Sequence, residues 1–166
     1  MNEKVIQDLI REMKKSGREH MHGIWKKARS GEIDSLSEDD RNLARIMLEP
    51  QEYHNQFEFA DHLSDHEFDV DKEMNPFLHV VIHLVVQNQI SSREPIEVYQ
   101  FYNAMLRKKV TTHEAMHLIG TIFSYLLFGV LKYREEFDME KYKRLLRKYK
   151  VRNPDKITAS LNREFD

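Results

Sequence analysis

The sequence predicts an all-α protein, a single-domain helical bundle of about six or seven helices with two histidine-bearing helices at its centre. Three observations carry this reading. Apolar residues recur at three- and four-residue spacing along most of the chain, and alternation at period two is absent over any useful length. Only five glycines and four prolines interrupt 166 residues, too few for a turn-rich β fold. Hydrophobic residues at 40% and charged residues at 33% match an ordinary globular domain long enough to bury a core.

The first helix is expected over residues 3 to 29. Val5, Leu9, Ile10 and Met13 recur at helical spacing, and Ile24, Trp25 and Ala28 continue it past a weak point at Gly17. Ser37-Glu38-Asp39-Asp40 is a helix start with acids in its first turn, and Leu43, Ile46 and Met47 form the stripe that follows. Pro50 is expected in the first turn of a third helix carrying Tyr53, His54, Phe57 and Phe59. Residues 61–75 are acidic and aperiodic and read as the main loop.

Asn75-Pro76 starts a helix to about Ile90, with Asn75 as cap and Pro76 at the first helical position. Pro95 opens the next, to about Lys108. Thr111-Thr112-His113-Glu114 opens another, to about Tyr133. Asp138 caps Met139 to Lys150. Asn153-Pro154 breaks that helix, leaving a tail that is either a short helix or frayed.

The most informative pattern lies on two of these helices. His79 and His83 are four residues apart in NPFLHVVIH, and so are His113 and His117 in HEAMH. Side chains at i and i+4 lie one above the other on a helix, so each pair can aim two imidazoles at one point. The neighbours of both pairs are almost all apolar, which places the helices in the interior. Histidines there need partners. Four imidazoles from two adjacent helices would suit one metal ion or two neighbouring ones.

The sequence has no cysteine, which excludes disulfides and thiolate ligands, so any metal is held by nitrogen and oxygen. His54, inside Glu52-Tyr53-His54, is the expected fifth histidine ligand, and Glu52 a further one. Carboxylates beside histidines in a helical bundle favour iron or manganese over zinc, so the expected ion is iron, manganese or zinc. His20 and His22 point to different faces of their helix, and His62 and His66 sit in the acidic loop. All four are left outside the site.

The string His113-Glu114-Ala115-Met116-His117 also matches the H-E-x-x-H of zinc hydrolases, with Glu114 as the candidate catalytic base. A third ligand is missing from the extended pattern, because Phe123 stands at its last histidine position. Thr111 and Glu114 also form the T-x-x-E of a capping box, in which the glutamate reaches back to the start of its own helix.

A formal net charge of −2 gives no general reason to expect nucleic acid, and the basic stretch 141–152 reads as a solvated helix face. Residues 115–131 are apolar but a little short of a membrane span and read as a core helix. The N-terminus, MNEKVIQDLIREMKK, has mixed charge and no signal-peptide apolar core, so a cytoplasmic protein is expected. Oligomeric state and partner are not legible.

Several segments, in order, resemble a bacterial family, domain of unknown function 1841. They are Ile24-Trp25-Lys26-Lys27-Ala28-Arg29-Ser30-Gly31, Glu52-Tyr53-His54, Asn75-Pro76-Phe77-Leu78-His79 with His83 and Gln89, and the HEAMH string. The similarity covers roughly residues 20–150, leaving 1–19 as an N-terminal helical extension and 151–166 as a C-terminal tail. The His-Pro that family members usually carry before Glu-Tyr-His is replaced here by Pro50-Gln51. The resemblance implies a bacterial, mainly helical protein and no particular activity.

Two function classes follow from the residues. One is a metal-binding helical protein, with a metal-dependent enzyme of unassigned reaction as its catalytic form. The other is a non-catalytic interaction module whose buried histidines are satisfied by hydrogen bonds.

Overall fold

The helix that opens the described chain, α1 (Gly17–Arg29), buries Met21, Ile24 and Trp25 and leaves Lys26, Lys27 and Arg29 near its C-terminal, electronegative end. The computed structural model describes residues 17–49, 51–63, 66, 68–69, 73, 75–133 and 135–165. The expected helical segment before Gly17 and the expected helix-starting Pro50 lie outside them. Among the described residues there are eight α-helices and no strand.

Packing groups the chain into two compact units, one ending at Leu84 and the other comprising Val85–Asp166. In the first, α1 packs on α2 (Glu38–Leu48) and α3 (His54–Glu58). Ser37 caps α2 by accepting the Asp40 N–H, and Leu43, Ala44, Ile46 and Met47 form its buried face. Trp25 is the centre of this unit. Its ring packs against Phe57, and its indole N–H donates to Glu58 at 2.7 Å, satisfying the one polar group a buried tryptophan carries. The third helix is a single turn after a 3-10 turn at Gln51–Tyr53, and Phe59, expected on it, is 56% exposed beyond its end.

Helix α4 (Pro76–Ser92) starts as expected: the Asn75 side-chain oxygen accepts from the N–H groups of Phe77 and Leu78, both at 3.0 Å. Val80, Val81, Val85 and Val86 are all buried. Its C-terminal half is more polar, with Gln87, Asn88, Ser91 and Ser92 exposed.

In the second unit α5 (Ile96–Arg107) packs on α6 (Thr112–Tyr133) and α7 (Met139–Lys150), and α6 packs on α7 and α8 (Ile157–Phe165). Asp138 caps α7 through the Lys141 N–H at 2.8 Å. Phe123, Phe137 and Tyr142 form an aromatic cluster with ring centroids 5.0 to 5.8 Å apart. The tail is a helix, α8, held by buried Ile157 and Leu161. It is the element beyond the seven legible from periodicity. Helix α6 is long and apolar enough to cross a membrane by length and composition, and 39% of its most apolar stretch is buried.

Candidate metal centre

His79 and His83 lie one turn apart on α4, and their rings are 4.6 Å apart. His79 is half-buried, and His83 is 7% exposed. His113 and His117 lie one turn apart in the first two turns of α6, with ring centroids 4.4 Å apart. His113 is exposed and His117 half-buried. In both helices the spacing does what the 3.6-residue turn requires and stacks the two rings on one face.

Three of these four rings belong to one group. His79, His83 and His117 each offer a ring nitrogen, and the three atoms lie within 4.8 Å of one another, so the group could hold a metal ion. Nitrogens bound to a tetrahedral zinc sit about 3.3 Å apart, given Zn–N bonds of about 2.0–2.1 Å. The group is all nitrogen and all imidazole, a donor set for zinc, iron, copper or nickel rather than for magnesium or calcium.

The fourth imidazole has another position. His113 Nε2 lies 2.9 Å from His117 Nε2, a hydrogen-bonding distance, and His113 is not a member of the three-nitrogen group. The expected convergence of four rings is therefore a convergence of three, with the fourth bonded to one of them.

The remaining candidates sit elsewhere. His54 Nε2–H donates to the Leu48 carbonyl at 3.2 Å, and its ring packs against Trp25 at 4.8 Å. Glu52 is exposed on the 3-10 turn before it. Glu114 is exposed, and its carboxylate accepts from the Thr111 N–H at 3.1 Å and the Thr111 hydroxyl at 2.8 Å. The Thr111 hydroxyl in turn accepts from the Glu114 N–H at 3.2 Å, which completes the capping box. These bonds from Thr111 hold the Glu114 carboxyl below its ordinary range, with the His113 ring adding to them.

A further residue, Tyr53, stands beside His79. The Tyr53 ring stands edge-on to His79, with centroids 5.4 Å apart. Desolvation raises its phenol above the usual tyrosine range, and the Glu52 charge raises it further. Its place between Glu52 and His54 was the available signal, but no spacing rule ties a residue of the preceding segment to a helix that begins at Pro76.

Histidines left outside the site are placed as structural or surface groups. His20 pairs with Asp40 at 2.8 Å on the surface. His66 meets Glu73 at 3.1 Å. His22 is buried, and its Nδ1–H donates to the Phe57 carbonyl at 3.1 Å, tying α1 to α3.

The profile of the family described as domain of unknown function DUF1841 matches residues 13–148. No curated protein and no solved structure gives a significant match to the chain.

Proposed function

The chain belongs to the DUF1841 family, and we propose that it is a metal-binding helical protein whose ion is held by His79, His83 and His117. The observation that carries this reading is the grouping of three imidazole nitrogens within 4.8 Å, drawn from two helices. Imidazole nitrogens brought this close from two helices are a donor set of the kind that binds a transition-metal ion. A shared ion satisfies three lone pairs at once.

The donor set favours zinc or iron(II). Among the expected metals, manganese is the weakest fit, because no carboxylate belongs to the group. His79, His83 and His117 would hold an ion with three protein ligands, the number found in catalytic rather than structural zinc sites. A metal held there would supply Lewis acidity. The chain's own contribution is to orient the rings from two long helices and to keep the surroundings apolar. His83 is the most enclosed ligand, and His79 and His117 lie nearer solvent.

The test is elemental analysis of protein purified without a polyhistidine tag. One ion per chain is expected. His83→Ala and His117→Ala should each abolish it.

A second reading, an interaction module with structural histidines, has its own support. His22 and His54 each donate to a backbone carbonyl, so this chain does use histidines to join segments. That reading requires metal-free protein whose stability is indifferent to chelators.

A further inference from the structure

The contact between His113 and His117 has a chemical consequence for the proposed site. Imidazole nitrogens 2.9 Å apart are hydrogen-bonded when one carries a proton and the other a lone pair. In one arrangement His117 Nε2–H donates to His113 Nε2, and the lone pair of His117 is then on Nδ1. In the other, His113 donates, and His117 carries its proton on Nδ1, where it blocks coordination. An imidazole nitrogen cannot both donate a proton and ligate. A hydrogen bond that persists beside a bound ion therefore requires the first arrangement.

We propose that His113 is a positioning residue: it accepts the His117 Nε2–H and so presents His117 Nδ1 as the ligating atom. This rests on the metal-site reading above. Three observations support the role. His113 is bonded to a member of the three-nitrogen group without belonging to it. It is exposed, on the turn of α6 that precedes His117, where a partner outside the coordination sphere would stand. The carboxylate on that turn, Glu114, accepts from Thr111. Metal-bound histidines almost always donate their second ring N–H to an acceptor that fixes tautomer and ring orientation. Coordination through Nδ1 polarises the ring and strengthens the Nε2–H as a donor, so ion and hydrogen bond support each other. The match to H-E-x-x-H then has a different meaning in this chain. Its second histidine is a ligand, its first orients the second, and its glutamate caps the helix.

The experiment compares wild type, His113→Ala and His113→Gln in zinc titrations, with Co(II) spectra and long-range 15N NMR of the His117 ring. His113→Ala should lower zinc affinity about 10- to 100-fold. It should leave one ion per chain and an unchanged Co(II) spectrum. His113→Gln, whose amide oxygen can accept the same proton, should recover most of the loss, and Nδ1 should show the coordination shift. Three results would overturn the role: unchanged affinity in His113→Ala, a Co(II) spectrum reporting one ligand fewer, or coordination through Nε2. Failure of the wild-type protein to bind zinc is a separate outcome, and it removes the site along with this role.

Discussion

His83 has the least solvent of the three ligands, and its substitution separates the ligand role from a packing role. His83→Ala deletes both a donor and buried volume, so loss of stability accompanies loss of the ion. His117→Ala, at a half-buried position, should lose the ion with a smaller effect on the metal-free fold. Measuring bound metal and metal-free melting temperature on both variants checks this contrast. Equal metal retention in either would contradict the assignment. Glu114→Gln addresses the hydrolase match. The capping carboxylate faces water, so this variant should keep one ion per chain, measured by the same analysis. At this scale the i, i+4 spacing made the ring pairs legible. Which three of four imidazoles would group was not, because helical phase sets who shares a face, whereas the register between helices comes from packing. The Leu48 carbonyl within reach of the His54 ring is likewise not written in the local string.

Helices α6 and α7 show what periodicity reveals and what it leaves out. The helix starts at Asn75 and Asp138 follow from caps written in the chain. The buried pair of Gln89 and Tyr142 does not. Tyr142 is fully buried, burial pushes its phenol well above the usual tyrosine range, and its hydroxyl donates to the Gln89 side-chain oxygen at 3.0 Å. Tyr142→Phe removes the one bond that this amide makes to another side chain among the described residues. It should destabilise the protein by about 1–3 kcal/mol, the cost of an unsatisfied buried polar group, read from denaturant unfolding.

The docking of α8 carries a pH dependence. Lys148 at 2.6 Å and the Tyr149 hydroxyl at 2.6 Å both donate to Glu164 and hold its carboxyl below the ordinary glutamate range. The same contact, after burial, pushes the Tyr149 phenol up to about 12. A lowered folded-state value for Glu164 means a contribution present above the unfolded pKa of about 4.3 and lost as pH falls through the folded one. Glu164→Gln should therefore flatten the stability profile below about pH 4.5 relative to wild type, as followed by melting temperature against pH. The tail's helix was an open alternative in the sequence because its burial rests on Ile157 and Leu161 alone, too few for periodicity to decide.

Across the whole molecule, the all-helical character was legible from spacing and from the scarcity of glycine and proline, and the family from motifs distributed over most of its length. The grouping of residues into units was not, since it depends on packing between distant helices. A ligand that binds only the folded chain raises its stability by mass action, by about 2.7 kcal/mol at a hundredfold excess over the dissociation constant. For a chain of this size that corresponds to a rise on the order of 5–10 °C in melting temperature. Zinc should produce it, a chelator should reverse it, and His117→Ala should abolish it.

Anomalous diffraction from metal-loaded crystals tests the central claim most directly. The account predicts one strong peak about 2.0–2.1 Å from a ring nitrogen of each of His79, His83 and His117, with His113 bonded to His117 outside the coordination sphere. A peak shared by His113 and His117 without the α4 histidines, or no ordered peak at these rings, would contradict it.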